Sequence, residues 1–98
     1  MKSIRTYYIY LLANHDNTLL YVGVTSNLAQ RVHQHKNKHY IGYTSKHNID
    51  KLVYFEAFDY VDDAIKREKQ IKSYRREKKD RLINLNNSSC DELKAPLF

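Results

Sequence analysis

Arg5-Thr6-Tyr7-Tyr8-Ile9-Tyr10-Leu11-Leu12, then a polar link, then Leu19-Leu20-Tyr21-Val22-Gly23-Val24, is the stretch on which the fold turns. The first segment is aromatic, aliphatic and β-branched with little polar alternation, which reads as a strand buried on both faces. The link Ala13-Asn14-His15-Asp16-Asn17-Thr18 is dense in turn-forming residues, so the two segments form an antiparallel hairpin. Thr25 or Ser26 is placed to cap a helix reaching about Lys36. Residues 37–50 are mixed and polar and read as a loop, and Lys51 to Phe58 reads as a third strand. Helices are predicted over about 61–73 and 75–85, with a break near Ser73. The Asn- and Ser-rich tail from Asn86 to Phe98 is expected to dock loosely. The order ββα–β–αα predicts an α+β fold, a small three-stranded antiparallel sheet flanked by helices.

The chain has 98 residues, 42% of them hydrophobic, which suits one domain with a modest core over about 5–87 and a tail over 88–98. No apolar run approaches the roughly 18 residues of a membrane span, and Tyr7 to Leu12 is too short for a signal peptide. A single cysteine, Cys90, excludes an internal disulfide and fits a cytoplasmic protein. Net charge is +6, and all of it resides between Lys66 and Arg81, where nine basic residues face three acidic ones. Elsewhere eight basic residues balance eight acidic ones. Such a concentrated positive segment marks either a polyanion partner, through counterion release, or a solvated helix face.

Two helices interrupt their apolar stripes with charge. On the first, Arg31 shares the stripe of Leu28, Val32 and His35. On the second, Glu68 sits amid Val61, Ala64, Ile65, Ile71 and Tyr74. An inward carboxylate is costly unless paired or bound to a cation. Either Arg31 and Glu68 form an ion pair between the helices, or they share a cleft in which Glu68 holds a cation such as Mg²⁺. Tyr8 and Tyr10 alternate onto one face of the first strand, and Tyr21 lies within reach across the hairpin. Gly23 allows close backbone approach, to a neighbouring element or to a ligand.

Tyr8-Ile9-Tyr10, Tyr21-Val22-Gly23, Arg31 and Glu68 stand in an order that resembles the GIY-YIG nuclease superfamily in its short stand-alone bacterial form. The likeness extends from Thr6 to about Leu93 and includes Leu52-Val53-Tyr54-Phe55-Glu56 and Ala64-Ile65-Lys66-Arg67-Glu68. It implies a metal-dependent DNA endonuclease working by single-metal, one-step hydrolysis. Glu68 would hold one Mg²⁺ or Mn²⁺, and Tyr21 or Tyr10 would orient or deprotonate the attacking water. Arg31 would stabilise the phosphoryl group, assisted by His35. Gly23, Lys46, Lys69, Lys72, Arg75, Arg76 and Asn87 are the expected substrate contacts, with Asn84 and Asn86 competing for the asparagine position. The sequence departs from the family where Tyr8 replaces the first glycine of the motif, Ser88 a proline and Cys90 a tryptophan.

The expected partner is DNA or RNA, with no membrane, no small-molecule cofactor and little sequence specificity. His35 and His39 stand at zinc spacing, but no further ligands follow them. His33 and His35 fall on different helical faces, and nothing around Cys90 supports a nucleophile. The rival readings are a non-catalytic nucleic-acid-binding module and a protein-interaction domain.

Overall fold

A computed structural model of the chain describes residues 5–38 and 42–96. Strands β1 (Tyr7–Ala13) and β2 (Leu20–Thr25) form the hairpin, followed by helix α1 (Leu28–Lys36) and a one-turn helix α2 (Tyr43–Lys46). Strand β3 (Lys51–Phe58), helix α3 (Val61–Lys72) and helix α4 (Arg76–Asn86) complete the chain. The sheet is antiparallel in the order β2-β1-β3. Its central strand β1 is buried from Tyr8 to Ala13, as a strand covered on both faces must be.

The alternation of β1 divides the core in two. Ile9, Leu11 and Ala13 face Ala64 and Ile71 of α3 and Ile83 of α4. Tyr8, Tyr10 and Leu12 face Leu28 and Val32 of α1, together with Ile49 and Leu52. Each cover is therefore an apolar helical stripe laid on one row of β1 side chains.

Local chemistry sets the joints. In the hairpin link, Asp16 accepts from the Thr18 amide and hydroxyl, which lowers its carboxyl, and Asn17 adopts φ 61°. The cap of α1 is Asn27, whose side chain accepts from the Gln30 amide at 3.1 Å, and neither Thr25 nor Ser26. Thr25 instead braces Asn27, accepting from its amide. The stretch 37–50, expected as loop, contains α2, which starts after Gly42 at φ 140°. His39, the second residue of the zinc spacing, lies outside the described residues.

The tail does not dock loosely. Asn87 is buried and works as a clamp: its Nδ2 donates to Val53 O (3.0 Å) and Asp91 O (2.8 Å), while its Oδ1 accepts from the Asp91 amide. The Leu93 amide donates to Leu52 O at 2.7 Å, and Leu93 and Ala95 pack on the α1 side of the core. Glu92 forms an ion pair with Lys36 on α1. The tail thus wraps from α4 past β3 to the other layer, held by these hydrogen bonds and the Lys36–Glu92 ion pair.

Candidate active site

Tyr10 and Gly23 stand directly opposite one another across the hairpin. A Cβ on Gly23 would lie 2.4 Å from both Cζ and Oη of Tyr10, so the glycine exists to admit that ring. Its backbone is not left-handed, and the requirement is therefore steric. The space beside Gly23 is filled by Tyr10, the neighbouring-element alternative of the two close approaches that a glycine there allows.

Tyr21, opposite Leu12, is the diagonal neighbour of Tyr10, with ring centroids 6.4 Å apart. His35 from α1 closes the group, its ring 6.2 Å from Tyr10 and 5.7 Å from Tyr21. Its Nε2 lies 3.5 Å from the Tyr10 hydroxyl. Burial holds the His35 imidazole below its ordinary pKa, the charge of nearby Arg31 lowers it further, and Asp50 opposes the shift. Neutral imidazole is thus the favoured form at pH 7. Arg31 sits half-buried one turn before His35. Of the three rings, Tyr10 is fully buried and Tyr21 reaches solvent.

Glu68 belongs to α3, on the opposite cover. Its side chain is only 14% exposed and pairs with Lys72 at 3.0 Å. Its partner is therefore Lys72 one turn on, and not Arg31 as the structural alternative required. The inward stripe of α3 is narrower than expected. Ala64 and Ile71 are buried and Tyr74 is partly so, but Val61 and Ile65 lie at the surface. Arg67 and Glu68 occupy the two flanks of the Ala64–Ile71 seam, separated by the roughly 100° that one residue turns a helix.

Arg67 is the residue that the sequence reading passed over. Its Nε and Nη2 donate to Oε1 and Oε2 of Glu56 on β3, both at 2.9 Å, and its Nη1 donates to Gln70 (2.7 Å) and Tyr74 (3.3 Å). Tyr54 also donates to Glu56. Burial would raise the Glu56 carboxyl, but the bonds from Arg67 and Tyr54 outweigh it and hold it low. Burial and the Glu56 bond push the Tyr54 phenol up to about 12. Glu68 is thus not the only inward carboxylate. The signal was present in the sequence: Arg67 follows Ala64 by three and precedes Ile71 by four, an inward spacing.

The basic segment also divides. Lys72 pairs with Glu68, and Lys78 lies over the Tyr74 ring at 4.1 Å. Arg76 binds Asp80 at 2.8 Å and donates to the carbonyls of Thr18 and Asn17, tying α4 to the hairpin link. Lys66, Lys69, Arg75 and Arg81 are exposed. Lys46 is exposed on α2, and Asn87 is occupied by its clamp. The structure therefore brings Tyr10, Tyr21, Gly23 and His35 together beside Arg31, while Glu68 and Asn87 stand on other elements.

Glu68 offers a part-buried carboxylate oxygen, the donor type that a hard divalent cation takes, and an ion there would have to displace the Lys72 ammonium that now pairs with it. Among the described residues, no group of three or more His, Cys, Asp and Glu could share an ion. Also among the described residues, no helix is long and apolar enough to cross a membrane.

The model of the GIY-YIG catalytic domain matches residues 6–81. The UPF0213 protein of Pediococcus pentosaceus is 38% identical over 93% of this chain and 95% of its own length. A UPF0213 protein of Haloquadratum walsbyi is 40% identical over 78% of this chain and 84% of its own. The solution NMR structure of the UPF0213 protein from Bacillus halodurans superposes with a TM-score of 0.57 at 26% identity, covering 89% of this chain and 92% of that one. A match across most of the sequence, backed by relatives aligned along nearly their full length, makes this chain a member of the GIY-YIG catalytic-domain family, a family of nuclease type.

Proposed function

We propose that this protein is a divalent-metal-dependent endonuclease that hydrolyses phosphodiester bonds in DNA with little intrinsic sequence specificity. The observation that carries the reading is the Tyr10–Tyr21–His35 cluster seated on Gly23, within the span of the matched catalytic domain.

Burial supports different roles for the two tyrosines. Tyr10 is fully enclosed and cannot meet a water arriving with substrate, so it supports the cluster from beneath. Tyr21 is only half-buried and is the group that touches the attacking water. As the water oxygen bonds to phosphorus, its proton passes to Tyr21 Oη and the bond to the leaving sugar oxygen breaks. A phenol accepts that proton only in its deprotonated form. Arg31 stabilises the negative charge gathering on the phosphoryl oxygens. His35, neutral and wedged against both tyrosine rings, holds them in place.

Glu68 is the residue that would hold a single Mg²⁺ or Mn²⁺, with water and substrate phosphate filling the remaining positions. Such an ion supplies positive charge at the scissile phosphate. Lys66, Lys69, Arg75 and Arg81 provide exposed charge to hold the polyanion.

Nicking of supercoiled plasmid tests the proposal. Mg²⁺- or Mn²⁺-dependent nicking is expected in the wild type, reduced about 100-fold or more in Glu68→Ala and Arg31→Ala. Tyr21→Phe should lose more activity than Tyr10→Phe. If wild type and Glu68→Ala bind DNA and leave it equally intact with every metal, the protein is a binding module. If neither binds at low salt, a protein partner replaces DNA.

A further inference from the structure

We propose that the Glu56–Arg67 pair is a positioning clamp: it fixes the rotation of α3 about its own axis and so directs Glu68 toward the side of the sheet that carries Tyr21. The metal-holding role of Glu68 rests on the function proposed above; the clamp itself rests on geometry alone.

Only Ala64 and Ile71 of α3 are fully enclosed in the core, and a seam of two such residues resists rolling weakly. Arg67 supplies the missing constraint. Its planar fork makes two parallel bonds to one carboxylate, a geometry that fixes direction as well as distance. Both ends of the contact are held. Glu56 lies opposite Ile9 in the sheet and also accepts from Tyr54, while the far side of the guanidinium is engaged by Gln70 and Tyr74. A part-buried ion pair of this kind adds little net stability, and its well-attested use is to choose one arrangement over others.

The direction follows from the sheet order. Arg67 binds β3, so its flank of the α3 seam faces β3, and the opposite flank, that of Glu68, faces away from it. With strands ordered β2-β1-β3, away from β3 means toward β2, which bears Tyr21 and Gly23. A carboxylate on one cover is thereby aimed at the strand whose tyrosine is held by the other cover. Glu56 and Arg67 act through Glu68 and do not touch substrate.

Arg67→Lys keeps the charge but abolishes the fork, and Glu56→Gln weakens it if the lysine variant fails to fold. Residual dipolar couplings of α3 amides in metal-free protein report the helix orientation, and electron paramagnetic resonance reports Mn²⁺ binding. In Arg67→Lys the couplings of residues 61–72 should shift while those of the sheet stay put. The Mn²⁺ dissociation constant should rise about tenfold, as it does when a residue supporting a metal ligand is lost, with DNA binding unchanged. Glu56→Gln should fall between the two. Wild-type couplings in the variants would overturn the proposal, and so would altered couplings with wild-type Mn²⁺ affinity. If Glu68→Ala binds Mn²⁺ as tightly as wild type, the endonuclease reading fails on its own account, and the couplings alone decide the clamp.

Discussion

Replacing Gly23 by alanine sets two opposing effects against each other, and the geometry decides their sign. Alanine restricts the unfolded chain, which by itself stabilises a protein by about 0.4–1 kcal/mol where the backbone is compatible. At Gly23 the backbone is compatible, since its φ is not positive. The new methyl, however, would stand 2.4 Å from Tyr10 Cζ and Oη and 2.9 Å from Cε1, whereas carbon atoms settle at about 3.5–4.0 Å. The ring must move by more than an ångström, and it is fully buried between His35 and Tyr21. Overpacking in cores costs about 1–3 kcal/mol, and so tight a site belongs at the upper end. Steric strain wins, leaving a net loss near 2 kcal/mol, or roughly 10 °C in Tm for a domain of this size. Thermal and urea unfolding followed by circular dichroism measure it. Tyr10→Leu removes the clashing atoms, so in that background Gly23→Ala should be close to neutral. A rise in Tm for Gly23→Ala alone, or an equal loss with and without Tyr10→Leu, would refute the account.

Three other outcomes follow from the same contacts. Asn87→Ala strips hydrogen bonds from Val53 O and from Asp91, leaving a buried carbonyl without its amide, so stability should fall by about 2 kcal/mol in urea titrations while DNA affinity holds. His35 carries a depressed pKa, so below pH about 6.5 the unfolded chain takes up a proton that the folded one refuses. Stability is therefore full above that pH and declines as the pH falls from there toward the folded-state value, a slope that His35→Gln should flatten in pH-dependent melts. The Lys69→Ala/Arg75→Ala pair should reduce the salt slope of DNA binding by nearly two, at about 0.9 per phosphate contact. Arg76→Ala should change that slope less, because Arg76 is engaged with Asp80 and two carbonyls, and filter binding across a salt series separates the cases.

Features written in local pattern were legible in the sequence. The unbroken apolar run of β1 announced a strand covered on both faces, and period-two alternation placed Tyr8 and Tyr10 on one row. The Leu28–Val32–His35 stripe correctly put His35 inward. Where competing local partners existed, the reading slipped. Thr25, Ser26 and Asn27 are all able to cap α1, and only the hydrogen bonds show Thr25 bracing the Asn27 cap. Features made by distant pairs were invisible. The inward spacing of Arg67 was readable, but nothing near Glu56 indicates that Arg67 is its partner, and nothing near Asn87 indicates that Val53 O awaits it. The basic segment misled for the same reason. Its count was right, but Arg67, Lys72, Arg76 and Lys78 have partners inside the protein, so charge totals overstate the surface offered to phosphate.

The sheet leaves little choice about where chemistry can occur. Its central strand is sealed on both faces, so no substrate reaches the cluster through the middle of the sheet. One edge, β3, is occupied by the tail through the Leu93 amide on Leu52 O. The other edge is β2, whose described sheet partner is β1 alone, and it is β2 that exposes part of Tyr21. Arg31 reaches toward that cluster from α1, on one side of the sheet. Glu68 belongs to α3, on the other side, and the proposed clamp of Arg67 on Glu56 would turn it away from β3 and toward that edge. On the function proposed above, the carboxylate that would hold the cation and the guanidinium that would bind phosphate lie on opposite covers, and the two could act on one phosphate only across an edge. The open edge is the one bearing the tyrosine, so the proposed clamp on β3 and the glycine beneath Tyr10 would serve the same edge.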